Sequence, residues 1–172
     1  MKTEPSIGLF ENEREANLSS TVAMIEDVLV ELGHFLNECR VDAPSGEASG
    51  FLAAAEHREW RVVKGSASIR ITLIDRDDFL KLRVVAPVMT FDENVDKTAL
   101  FTRLLSLNTE AVFGAAFALN DTEAVLVSER STLDLDRSEV LDLIRRVEDY
   151  ADYYDDKLVE EFGGRLGGAR PS

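Results

Sequence analysis

WRVVKGSASIRITLIDRDDFLKLRVVAPV, residues 60–88, reads with a period of two along most of its length, and that period decides the fold. Turns at Gly65-Ser66 and at Asp75-Arg76-Asp77-Asp78 divide it into three strands, and interruptions so short and so rich in turn formers predict an antiparallel meander. Side chains alternate between the faces of a strand. Ala67, Ile69, Ile71 and Leu73 therefore share one face of the second strand, and Leu80, Leu82, Val84, Ala86 and Val88 share one face of the third. That is the expected core face. Pro87 has no backbone N–H, so the third strand is expected either to be an edge strand near its end or to lose its ladder there.

Away from this stretch the period becomes helical. Residues 17–40 place Val22, Ile25, Leu29, Leu32 and Leu36 three and four apart with Glu26, Asp27 and Glu31 between them, which predicts an amphipathic helix capped by Asn17 or Ser19. Residues 41–57 form a connection in which Phe51-Leu52-Ala53-Ala54-Ala55 suits one short helical turn. Beyond the meander, residues 96–108 carry Leu100, Leu104 and Leu107 in one stripe and Phe101 and Leu105 in a neighbouring one. A helix covered on one side needs a single stripe, so the second predicts burial on two sides, with a second copy of the chain as the simplest cover. Leu100, Phe101, Leu104 and Leu105 are accordingly the expected dimer-interface residues.

Residues 112–119 and 124–130 flank Asn120-Asp121-Thr122-Glu123 and predict a hairpin, with Val112, Gly114, Ala116 and Ala118 making one face of its first strand small. A last helix over residues 136–162 aligns Val140, Ile144, Val147, Ala151, Tyr154, Leu158 and Phe162. The order α-β-β-β-α-β-β-α describes an α+β fold, an antiparallel sheet packed by helices. It forms one domain over residues 17–162, between a flexible N-terminus (1–16) and a flexible glycine-rich tail (163–172).

A chain of 172 residues, 45% hydrophobic and 30% charged, suits a single core. The one cysteine, Cys39, cannot close an internal disulfide, residues 1–15 hold no apolar run of signal-peptide length, and no stretch approaches the ~20 apolar residues that cross a bilayer. These features predict a cytoplasmic protein without a membrane partner. The net charge of −14 repels phosphate backbones and anionic lipid, so nucleic acid is not an expected partner either, and the charge serves first to keep the protein in solution.

Neither a catalytic constellation nor a cofactor or metal site is expected. His34 and His57 have no recognisable nucleophile or base beside them, and His34 and Cys39, five apart, do not align on one helix face. Asp134-Leu135-Asp136-Arg137-Ser138 imitates the start of a calcium loop, but Glu139 stands at its glycine position and Arg145 at its twelfth; a helix N-cap is the better reading. Gly163-Gly164-Arg165-Leu166-Gly167-Gly168 follows a helix and lacks the lysine of a phosphate-binding loop. Tyr154 belongs to the core stripe, leaving Tyr150 and Tyr153 as the tyrosines that could face a partner.

Trp60-Arg61-Val62-Val63, Leu104-Leu105-Ser106-Leu107-Asn108 closing the middle helix, Phe113-Gly114-Ala115-Ala116-Phe117 and the Tyr-rich acidic last helix together resemble the YbjN family. Those proteins are labelled sensory transduction regulators of bacteria and share the fold of class I type III secretion chaperones of the CesT and Tir type. The resemblance covers about residues 58–162. It implies a homodimer built around the middle helix, offering its sheet and flanking helices to an extended partner segment. The long 41–57 connection and the glycine-rich tail depart from the secretion chaperones.

Alternation also places Arg61, Arg70, Lys81 and Arg83 on the non-core face of the meander, while residues 134–161 hold eleven acidic residues against four basic ones. Two solvated faces, or two faces that pair with each other, account for this polarity plainly. The functional alternative is that the four cations form a partner-binding face for an acidic segment. The expected function is thus a non-enzymatic, chaperone-like or regulatory protein-binding module acting as a homodimer. A small-ligand-sensing regulator and a passive subunit of a larger assembly remain the alternatives.

Overall fold

A computed structural model describes residues 7–41, 56–76 and 79–168. The alternating stretch forms β2 (Glu56–Lys64), β3 (Ala67–Arg76) and β4 (Phe79–Thr90), an antiparallel meander. Its predicted core-face residues, from Ala67 to Leu73 and from Leu80 to Val88, are all buried. β1 (Arg40–Val41) extends the sheet beyond β2, and the hairpin of β5 (Ala116–Asn120) and β6 (Glu123–Ser131) adds through β6 to β4, giving the order β1-β2-β3-β4-β6-β5. β4 therefore lies between β3 and β6, so of the two expectations for Pro87 the edge strand is not found and the interrupted ladder is. Pro87 is tolerated because the ladder with β3 stops at Val85↔Arg70 and the ladder with β6 shifts register between Pro87 and Met89.

α1 (Ile7–Glu31) starts ten residues before the expected Asn17, so residues 7–16 are helical and not a flexible arm; residues 9–16 contain neither glycine nor proline to oppose the helix. It also stops early. Gly33, at φ +90°, ends it in a Schellman turn in which the His34 N–H donates to the Leu29 carbonyl and the Gly33 N–H to that of Val30. The expected continuation is a separate turn of helix, α2 (Leu36–Cys39).

α3 (Lys97–Glu110) is capped by Asp96, and α4 (Arg137–Phe162) by Asp136 in a capping box with Glu139. The capping contacts from Ser138 and the Glu139 backbone hold the Asp136 carboxyl below its ordinary range. β5 begins at Ala116, four residues later than expected, because Gly114 adopts φ +67° under the Arg146 guanidinium. The tail expected to be flexible instead forms β7 (Arg165–Leu166), paired with Met89 and Thr90 of β4. The helical turn expected at residues 51–55, the turn residues Asp77 and Asp78, and residues 1–6 and 169–172 lie outside the described residues.

α4 packs on β3, β4 and β6, α1 on α4, and α3 on β5, so the helices line one side of the sheet. Trp60, Ile71, Leu82 and Leu126 meet Ile25, Leu29, Leu100 and Ile144 in one core there. Removing each such side chain from water contributes about 1.5–3 kcal/mol.

Candidate functional site

Among the described residues no helix covers the opposite face of the sheet. Cross-strand register sets out its chemistry in rows: Glu59, Thr72, Arg83 and Glu129 stand side by side across β2, β3, β4 and β6, and next to them run Arg61, Arg70, Val85, Val127 and Ala116. The expected partner-binding residues Arg61, Arg70, Lys81 and Arg83 thus do share one face. Two carboxylates that alternation also puts there sit among them. Glu59 Oε1 lies 2.7 Å from Arg61 Nε and 3.8 Å from Arg70 Nε; Glu129 contacts Lys81 at 2.8 Å and Arg83 at 3.6 Å. This group of six retains a positive surplus. Three acids of α4 have partners elsewhere: Asp149 holds Lys64, Glu139 holds Arg130 and Glu161 lies 3.6 Å from Arg103. Beside the charged rows the face is small and apolar, with Val85, Pro87 and Val127 half-buried and Ala116 and Ala118 exposed.

The four expected interface residues of α3 divide. Leu100 and Leu104 point into the chain's own core with Leu107, so they are not available as dimer anchors, and the stripe they form is the inward one. Phe101 is half-buried, edge-on to Phe91 at 5.7 Å, whereas Leu105 is 67% exposed. Two outward residues therefore account for the second stripe.

His34 is not isolated. Its Nε2 lies 3.1 Å from Oε1 of Glu148, a side chain only 2% exposed, and Lys64 stands 3.8 Å from the other Glu148 oxygen. The pair ties the end of α1 to the middle of α4. Cys39 is buried, and burial followed by the charge of Glu38 pushes its thiol up, which suits packing and not nucleophilic attack. The His57 side chain is outside the described residues. A cavity of about 350 Å³ opens between the β4–α3 loop and the strap formed by β7, lined by Phe91, Asp92, Val95, Phe162 and Arg165, away from His34. Tyr154 is buried, Tyr150 accepts a hydrogen bond from the Phe113 N–H, and Tyr153 stays exposed under Lys157. No described helix is long and apolar enough to cross a membrane, and no cluster of metal-binding side chains occurs among the described residues.

The family profile TY-Chap1, described as T3SS (YopN, CesT) and YbjN peptide-binding chaperone 1, matches residues 41–167, well over half of the chain. The protein belongs to the TY-Chap1 family. Its fold is also that of a chain in the solved structure described as the ExsC–ExsE complex, which matches with a TM-score of 0.54 at 14% identity over 81% of this chain and 94% of that one. No curated protein sequence matches.

One residue of the segment that carried the YbjN resemblance has a definite task in this TY-Chap1 chain. Asn108, at the end of α3, accepts from the Phe117 N–H at 2.6 Å and donates to the Phe117 carbonyl at 3.2 Å. Among the described residues β5 is the last strand of the sheet and its outer edge has no strand partner, and the Asn108 amide takes the place of one. Asn108→Ala leaves both groups unpaired and is expected to cost about 1–3 kcal/mol in urea unfolding, with faster amide exchange at Phe117. Unchanged exchange there means that the amide is not what closes the edge.

Proposed function

We propose that this TY-Chap1 protein works without catalysis, as a homodimer whose open sheet face receives an extended, acidic partner segment. The observation that carries the reading is the local reversal of sign: a protein of net charge −14 gathers Arg61, Arg70, Lys81 and Arg83 on the sheet face opposite the described helices. Long-range attraction of an acidic segment to such a face raises the encounter rate and sets orientation, while the small apolar rows around Val85 and Val127 leave room for a backbone to lie flat. A peptide-binding family, and a similar fold in a structure described as a complex of two proteins, support a polypeptide as the partner.

Dimerisation falls to the outward residues of α3. Light scattering is expected to give about twice the 19.1 kDa chain mass for the wild type and a folded monomer for Phe101→Glu with Leu105→Glu. A monomeric wild type removes the homodimer from the proposal. The sheet face is tested separately by retention of partner on immobilised protein, before and after reversing Arg70, Lys81 and Arg83 to glutamate.

A further inference from the structure

The ladder between β3 and β4 ends at Val85, so the remaining stretch of that β4 edge, from Pro87 to Thr90, lacks β3 as a neighbour. The chain's own tail lies in the gap. Met89 pairs with Leu166 and Thr90 with Arg165, and the Gly167 N–H donates to the Val88 carbonyl at 3.0 Å. The fit is closest at two glycines. A Cβ on Gly167 would lie 2.5 Å from the Val88 nitrogen and against the Pro87 carbonyl, and one on Gly164 would lie 2.5 Å from the Thr90 oxygen. Only a glycine brings its backbone that near.

A strap of this kind is easily displaced. It is a two-residue strand entered through Gly163 and Gly164, both at positive φ, and glycine loses more freedom on ordering than any other residue. Gly168, which follows, lies beside Ser68 and Pro87, two residues of the sheet face opposite the described helices. The slot is thus continuous with the face assigned above to the partner.

We infer that the β4 edge from Pro87 to Thr90 is a strand-addition site for an extended partner segment of the form Gly-x-x-Gly, and that residues 164–167 occupy it in the partner's absence. The inference rests on the peptide-binding reading of the protein but not on the cationic residues. A partner able to pair with more than the strap's two residues displaces it and runs on across the open face.

The probe is a labelled synthetic peptide of residues 163–172, added in trans to the full chain and to its Gly167→Val variant. In the variant the strap cannot seat. Amide exchange over residues 88–90 is then expected to quicken, and the peptide to bind at least tenfold more tightly than to wild type; the same peptide with valine at position 167 does not bind. Unchanged exchange in a variant whose circular dichroism matches wild type, or no gain in peptide affinity, overturns the proposal. A wild-type dimer that dissociates on Gly167→Val also overturns it, since the slot then belongs to the tail of a second copy. Reversal of Arg70, Lys81 and Arg83 leaves peptide binding to the Gly167→Val chain intact, so failure of the cationic face and failure of the slot give different results.

Discussion

Reversing Arg70, Lys81 and Arg83 to glutamate is expected to slow capture of an acidic partner segment by roughly 10- to 10³-fold at low ionic strength, the range over which charge steers association. The substitution leaves Arg61 as the only cation of the six-residue group, facing Glu59, Glu129 and three new carboxylates. The three replaced side chains are solvent-accessible, but each reversal sets a like charge beside Glu59 or Glu129, so unfolding free energy should fall by about 0.2–1 kcal/mol for each. Association rates measured by surface plasmon resonance against the captured partner provide the check. The difference should shrink toward 1 M salt, where the Debye length falls to about 3 Å. A loss of capture that salt leaves unchanged points to packing, and unaltered capture removes the face from consideration.

Leu104→Ala and Leu105→Ala, neighbours on α3, are expected to differ by several kcal/mol. Leu104 is 4% exposed and packs with Leu100 and Leu107, so truncation opens a cavity worth about 2–5 kcal/mol in urea unfolding. Leu105 is 67% exposed, and its truncation in the monomeric chain should stay within about 0.5 kcal/mol. If a dimer forms through Leu105, as proposed, its loss appears instead as a concentration-dependent midpoint, since association stabilises by mass action. Equal costs for the two variants would reverse the assignment of the helix faces.

The parts of this fold that are local in sequence were legible there. Alternation over residues 60–88 specifies both the meander and the side that becomes core, and the stripe from Val140 to Leu158 specifies α4, because each pattern depends only on the geometry of its own element. Two of the features that escaped show why. Gly33 interrupts an apolar period that runs on to Leu36, and the interruption was the visible mark of the Schellman turn. The tail read as flexible since glycine disfavours strands, and its pairing depends on how closely it approaches β4, which only the folded sheet sets. In the candidate site the four cations were found by alternation, and Glu59 could have been found the same way, two residues before Arg61. Glu129 could not: its place beside Arg83 comes from the β4–β6 register, a pairing between strands separated by a whole helix and another strand.

That separation makes β4 unusual among the strands. One of its ladders closes through a short turn from β3, while the other waits for β6, which the ribosome delivers only after α3 and β5. Closing the longer loop carries the greater entropic cost, so the β3–β4 ladder is expected to form before β6 docks on β4, which leaves β4 with a bare edge in between. One of the two middle strands of the finished sheet is thus the last of the meander to gain both neighbours, and until β6 arrives its bare edge is open to pairing with another copy of the nascent chain.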